Sequence, residues 1–173
     1  MYTSCSESEV KTRVDAALAK DDSVPISEMA KQLQLSEGAI TFALPEVMLT
    51  RIDGAHAQQI LEQLPEWGNV TTIVHSCGSI FETKAPFPRG KAAHGYYNLM
   101  GREGELHGHL RLDTIVQIAL VSKPFRGNES HYIGFFAQDG TCAFKIYLGR
   151  DKQRQLIPQQ IEAFKQMKQE FSA

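Results

Sequence analysis

The sequence predicts an α+β fold in which a broad antiparallel sheet is flanked by N-terminal helices and a C-terminal helix. Apolar residues recur at helical spacing through residues 1–65. Short β-branched or aromatic segments then follow one another between residues 66 and 149, and their short connections favour antiparallel neighbours. Helical spacing returns over residues 150–173. We expect these three segments to form a single domain over residues 1–173.

The first segment should contain several helices. In SESEVKTRVDAALAK, Val10 and Val14 begin an apolar stripe at helical spacing. The stretch ISEMAKQLQLSEGAITFALP predicts two short helices, with Ser27 and Ser36 as their N-caps. A further helix in GAHAQQILEQLPEW should end near Pro65, because proline lacks the N–H that a helix interior needs.

The strand-like segments are separated by Gly, Asp, Asn or Pro. They are NVTTIVHS, SIFET, HGYYNLM, ELHGHLRL, TIVQIALVS, SHYIGFFAQ and TCAFKIYLG. Asp139-Gly140 between the last two is a typical hairpin turn. The proline-containing stretch APFPRGKAA predicts a loop or an edge strand. In the final segment, Pro158 should begin the helix or kink it.

Charge and hydropathy argue against nucleic-acid and membrane partners. The formal net charge is −2, which gives no general attraction for DNA or anionic lipid. Residues 26–44 have helix-turn-helix spacing, but residues 1–45 carry four basic against seven acidic side chains, so we expect no nucleic-acid binding. No apolar run approaches the roughly 20 residues that span a bilayer, and the N-terminus does not resemble a signal peptide. We therefore expect no stable membrane insertion.

The cysteines point to a reducing compartment. Cys5, Cys77 and Cys142 are odd in number and widely spaced, so they form neither a disulfide framework nor a CxxC motif. We expect a cytoplasmic protein.

The sequence also lacks motifs for catalysis. There is no GxSxG elbow and no Walker loop, and GREGEL lacks the context of a dinucleotide fingerprint.

Histidines recur on the polar faces of the predicted strands. ELHGHLRL places His107, His109 and Arg111 on one face, and NVTTIVHS places His75 beside Thr71 and Ile73. HGYYNL likewise groups His94, Tyr96 and Asn98. Imidazoles bind metals, so each strand offers an axial ligand for iron. A single strand histidine is more often solvated or bonded to a carbonyl, and zinc stays open, although no His-x3-His pair marks it.

The stretch from Lys84 to Arg111 is locally basic. It holds five Lys or Arg residues against two Glu residues, a net of +3. These cations could pair with carboxylates such as heme propionates. A solvated loop with scattered cations explains the composition equally well.

Several blocks in order resemble a known family. They are EWGNVTTIVH (66–75), HGYYNL (94–99), GHL (108–110), IYLGRD (146–151) and RQL (154–156). Together they resemble the HutX/ChuX-like family of heme (haem) utilisation cytosolic carrier proteins, from about residue 30 to the C-terminus. The resemblance implies a domain that forms a homodimer, the pair imitating the two-repeat heme-utilisation proteins. It also implies heme binding and transfer to a heme-degrading partner, with no reaction of its own. Heme degradation by the chain itself is the alternative.

The resemblance also implies site residues. It assigns iron ligation to His75 and His109, while the additional His107 leaves open which histidine of its pair is the ligand. Tyr96 is a substitute ligand, since tyrosinate binds heme iron in other proteins. Arg111 should lie near a propionate. Aromatic residues, with Tyr97, Phe135 and Phe136 as further candidates, should cover the porphyrin.

Overall fold

Two antiparallel β-sheets and five α-helices make up the fold in the computed structural model, which describes residues 5–172. The helices are α1 (Glu7–Lys20), α2 (Ile26–Leu33), α3 (Glu37–Thr41), α4 (Ala57–Gln63) and α5 (Pro158–Phe171). The strands are β1 (Leu49–Asp53), β2 (Asn69–Ser76), β3 (Ser79–Pro86), β4 (Gly90–Ala93), β5 (Tyr96–Leu99), β6 (Gly108–Leu110), β7 (Ile115–Ser122), β8 (His131–Ala137) and β9 (Cys142–Tyr147). The α+β class with a large antiparallel sheet is confirmed.

The strands divide into a main sheet and a small sheet. The main sheet has the order β1-β7-β8-β9-β2-β3, and the small sheet has the order β4-β5-β6. The chain leaves the main sheet at Pro86 and Pro88, which lack the N–H groups that a ladder requires. The stretch APFPRGKAA then supplies β4, which is an edge strand as predicted. A single continuous sheet was therefore too simple an expectation.

Two predicted element bounds are wrong. The predicted strand ELHGHLRL is reduced to Gly108–Leu110, because Arg111 (ψ 78°) leads directly into a 3-10 turn at Leu112–Thr114. The prediction that residues 1–65 are wholly helical fails at β1, whose Ile52 lies opposite Ile118 of β7. Pairing with a strand 66 residues away is tertiary information that local periodicity does not contain.

Most of the predicted helix starts and the predicted hairpin turn are confirmed. The Ser36 hydroxyl accepts from the Ala39 amide at 3.0 Å and caps α3. Asp139 and Gly140 form the β8–β9 turn, closed by the Ala137 amide donating to the Thr141 carbonyl at 2.9 Å. Helix α5 begins at Pro158. Ser27 was a wrong choice, since Pro25 occupies the N-cap position of α2.

Each face of the main sheet is covered by different elements. On the N-terminal-helix side, α1, α2 and α3 pack on β7 and β8, and Val14 and Ile40 are fully buried there. On the small-sheet side, α4, α5 and the small sheet share a second apolar cluster, which includes Tyr97 and Phe164. None of the helices in residues 5–172 has the length and apolar character needed to cross a membrane.

Candidate functional site

Several of the predicted site residues lie on the outer face of the small sheet. Along β5, Tyr97 and Leu99 are buried against the main sheet, so Tyr96 and Asn98 point outward. The β5–β6 register places His109 opposite Asn98, on the same outward face. The rings of Tyr96 and His109 lie edge to face, with their centroids 5.8 Å apart. Three polar side chains thus share one exposed surface.

The Asn98 amide determines which nitrogen of His109 is free. Its Nδ2 donates to the carbonyls of Lys91 at 3.0 Å and Ala93 at 3.1 Å. Those carbonyls cannot donate, so Oδ1 of Asn98 faces His109, 2.6 Å from Nδ1. In the neutral form of this exposed imidazole, Nδ1 must therefore carry the proton and Nε2 keeps the lone pair.

Arg111 adds a permanent positive charge beside this pair. Its Nε and Nη2 donate to the Asp113 carboxylate at 2.9 and 2.7 Å. These hydrogen bonds and the charge of Asp113 raise the pKa of Arg111, and Tyr96 contributes in the same direction. The guanidinium lies 5.8 Å from the centre of the Tyr96 ring. The group is exposed and can meet an anionic ligand from the solvent.

A mostly apolar cavity of about 320 Å³ opens beside this surface, between the small sheet and the main sheet. Its lining includes Val74, Phe87, Leu99, Leu106, Leu110 and Phe144, with His109 and Arg111 among its few polar residues. This volume is at the low end for small-molecule sites, so it would accept one edge of a large planar ligand while the rest stays exposed. An apolar cleft with a free imidazole nitrogen and a cation beside it fits the donor set that heme requires.

A larger cavity of about 790 Å³ lies on the N-terminal-helix side of the main sheet. Phe42 and Phe136 contribute apolar walls, and Lys11 and Arg51 contribute cations. Neither histidine nor tyrosine is among the described residues that line it. It therefore lacks the two ligand types that the sequence singled out, and the smaller cavity is the better candidate.

His75 does not join the small-sheet site within one protomer. Val74 packs into the cluster on the small-sheet side, so its neighbour His75 points to the opposite side of the main sheet. There it lies across from Ile80 in the β2–β3 hairpin and is exposed. Within one protomer the structure therefore separates His75 from His109, the two histidines to which the resemblance assigns iron ligation.

The other predicted site residues divide between exposed and buried positions. His107 precedes β6 and is exposed, and it makes no side-chain hydrogen bond within residues 5–172. The expectation that further aromatic residues cover a ligand is wrong for Tyr97, Phe135 and Phe136, which are at most 2% exposed and belong to the core. The alternation placed Asn98 beside Tyr96 correctly, but its role needed the β5–β6 register, which no local signal in the sequence gives.

Comparison with known proteins identifies the family. The model of the Haem utilisation ChuX/HutX family matches residues 50–167. The chain belongs to this family. It is 65% identical to the intracellular heme transport protein HutX of Vibrio cholerae serotype O1 over 142 residues, which cover 82% of this chain and 74% of that protein.

Solved structures agree with this membership. The heme binding protein ChuX superposes with a TM-score of 0.81 at 32% identity, covering 91% of this chain and 97% of ChuX. Apo-PhuS, a heme-binding protein from Pseudomonas aeruginosa, superposes with a TM-score of 0.78 at 14% identity, covering 100% of this chain and 50% of PhuS. The likeness to PhuS concerns the fold alone, and it shows that this fold occupies half of the PhuS chain.

Proposed function

We propose that the chain is an intracellular heme carrier that takes up heme in the cytoplasm and transfers it to a heme-degrading recipient. Membership of the heme-utilisation family supports this proposal, and so do the transport function in the name of HutX and the heme binding in the name of ChuX. The observation that carries it is the exposed Nε2 of His109, which the Asn98 hydrogen bond leaves free beside Tyr96 and Arg111.

Each residue of this surface has a part in binding heme. His109 Nε2 binds the iron, and the Tyr96 phenol is the alternative ligand on the same face. Arg111 pairs with a propionate through N–H groups that Asp113 does not occupy, since a guanidinium carries five donors and Asp113 accepts from two of its nitrogens. The apolar edge of the porphyrin packs into the cavity lined by Leu106 and Leu110. One or two moderate iron–ligand bonds at an exposed position suit a protein that must release its cargo.

We infer that two copies form a homodimer through β3. This strand is an edge of the main sheet, and Ile80 and Phe81 at its start are 61% and 63% exposed. Unpaired edges and exposed apolar side chains favour association with another chain. If two β3 strands pair antiparallel about a two-fold axis at Thr83, Glu82 of each copy lies opposite Lys84 of the other. The symmetry therefore gives two such pairs of opposite charge. Such a pair would match the double length of PhuS.

The dimer bears on the role of His75. Because His75 and His109 lie on opposite sides of the main sheet, both can bind one iron only if a second copy supplies one of them. His75 sits in the same β2–β3 hairpin as Ile80 and Phe81, close to the proposed interface. We therefore retain His75 as a ligand from the second copy.

A hemin titration followed by the Soret band tests the ligands. We expect wild type to shift the band, and we expect His109→Ala and His75→Ala to weaken binding. His107→Ala should change binding least, because His107 lies before β6 and makes no side-chain hydrogen bond within residues 5–172. Tyr96→Phe distinguishes the two candidate iron ligands. If Tyr96→Phe loses hemin binding while His109→Ala retains it, the phenol of Tyr96 is the ligand. Unchanged spectra in all four variants would refute the site.

Sedimentation velocity tests the dimer. Phe81→Asp places a charge on the proposed interface, so we expect the dimer of wild type to dissociate. Val47→Asp is the matched control, because Val47 is 84% exposed and lies outside β3. A dimer that survives Phe81→Asp, or a wild type that is monomeric at micromolar concentration, would contradict the proposed interface. In a monomeric Phe81→Asp variant, His75→Ala should cause no further loss of heme affinity.

A single turnover of the heme complex separates transport from degradation. With ascorbate, oxygen and catalase present, a carrier should keep its Soret band. Loss of that band together with the appearance of verdoheme or biliverdin absorption would show that the chain degrades heme itself. Catalase removes free peroxide, which would otherwise bleach heme without any enzymatic contribution.

A further inference from the structure

The Asn98 side chain is held from two directions. Its Nδ2 donates to the Lys91 and Ala93 carbonyls of β4 at 3.0 and 3.1 Å, with the Tyr96 carbonyl at 3.4 Å. Its Oδ1 lies 2.6 Å from His109 Nδ1. Exchanging the two amide atoms would place Oδ1 against carbonyl oxygens and lose every one of these donations. The amide orientation is therefore fixed by β4 before any ligand arrives.

The fixed amide has a direct consequence for His109. A neutral imidazole carries its proton on one nitrogen, and the hydrogen bond made by the other partner decides which one. Here Oδ1 of Asn98 accepts the Nδ1 proton, so the lone pair is on Nε2. The residue His109 is exposed, and the Tyr96 ring lies edge to face with its imidazole. Without Asn98, the ring could rotate and exchange tautomers in the solvent.

The geometry points to Asn98 as the positioning residue that presents Nε2 of His109 to the heme iron. This inference rests on the proposed function and names one further residue of the same site. A partner that holds the second nitrogen of a ligating histidine fixes both its tautomer and its ring orientation. Asn98 is a neutral acceptor, so it draws the Nδ1 proton less strongly than a carboxylate would. The imidazole stays a moderate donor, which favours release of the cargo.

The first test needs no heme. Long-range ¹H–¹⁵N correlation spectra of the histidine-labelled apo protein report which ring nitrogen of His109 carries the proton. We expect the Nδ1–H form in wild type and a mixture of tautomers in Asn98→Leu, which removes the acceptor. Asn98→Asp loses the donations to the Lys91 and Ala93 carbonyls but keeps an oxygen acceptor for His109, so it should still favour the Nδ1–H form. A wild-type His109 in the Nε2–H form would overturn the inference, whatever heme does.

The second test measures hemin affinity of the same proteins. We expect Asn98→Leu to bind hemin about 10- to 100-fold more weakly, the usual loss when such a partner is removed. Asn98→Asp should bind hemin with an affinity between those of wild type and Asn98→Leu, because it keeps the acceptor for His109 but loses the donations to β4. Asn128→Leu makes the same substitution at an exposed asparagine in a distant turn and should leave the affinity unchanged. Thermal unfolding of each variant confirms that it is folded.

The outcomes separate the inference from the proposed function. If wild type binds hemin and Asn98→Leu binds it equally well, the positioning role is wrong and the carrier function stands. If Tyr96→Phe abolishes binding while both His109→Ala and Asn98→Leu retain it, the inference is also overturned, because the iron is then held by the phenol. A wild type that does not bind hemin overturns the carrier function and the inference together.

Discussion

Replacing Gln160 with leucine should destabilise the protein more than the same substitution at an exposed position of the same helix. Gln160 is buried in α5 and its amide meets three backbone groups. Its Nε2 donates to the carbonyls of Trp67 at 2.9 Å and Asn69 at 2.7 Å, and its Oε1 accepts from the Gly149 amide at 2.7 Å. The side chain thus connects α5 to the start of β2 and to the start of the segment that follows β9.

The magnitude follows from the groups that lose their partners. Leucine has nearly the volume of glutamine, so the substitution leaves little cavity and removes mainly hydrogen bonds. The Gly149 amide is buried and loses its acceptor, which costs about 1–3 kcal/mol. The two carbonyls are partly buried and lose about 1 kcal/mol each. We expect a total of about 3–5 kcal/mol, which lowers Tm by roughly 6–20 °C for a chain of this size.

Urea unfolding followed by circular dichroism measures this loss. Gln159→Leu is the matched control, because Gln159 is the preceding residue of α5 and is exposed. We expect the control to stay within about 0.5 kcal/mol of wild type. A free energy of unfolding for Gln160→Leu within roughly 1 kcal/mol of wild type, the net contribution of a single hydrogen bond, would refute this role of Gln160. An equal loss of stability in Gln160→Leu and Gln159→Leu would refute it as well.

Four further predictions concern charge, ionisation and thiol reactivity. Glu37→Gln should lower the free energy of unfolding, measured in urea, by about 3–5 kcal/mol, because it leaves the buried ammonium of Lys145 without its charged partner. The double variant Glu37→Leu/Lys145→Met removes both charges and should recover most of that stability. Desolvation raises the pKa of the Cys142 thiol to about 12. Because the thiol of the unfolded chain already ionises near pH 9, the fold should lose stability as the pH rises from about 9 toward 12. Urea unfolding of Cys142→Ala should lack this part of the pH dependence. A disulfide reagent should label the exposed Cys77 at once and Cys142 only on unfolding; rapid labelling of both would contradict this difference. Arg111→Ala should weaken hemin binding and reduce its dependence on salt, and an unchanged salt dependence in titrations would exclude the propionate contact.

Local signals were sufficient for much of the fold. Helical periodicity placed α1 with Val10 and Val14 buried, Ser36 capped α3, and Pro158 began α5. These features depend on interactions within a few residues, which the sequence states directly. The sequence pattern also predicted β2 in full, and alternation predicted the face that His75 shares with Thr71 and Ile73.

Only the tertiary structure decided how those elements combine into a site. The β5–β6 register brings Asn98 to His109 across 11 residues, and Gln160 reaches the carbonyls of Asn69 and Trp67 across 91 and 93 residues. Contacts of this kind depend on strand pairing and packing, in which sequence-distant groups meet only after the chain has closed. For the same reason the sequence could name His75 and His109 as candidate ligands, but the opposite sides of the main sheet on which they lie became visible only in the folded protein.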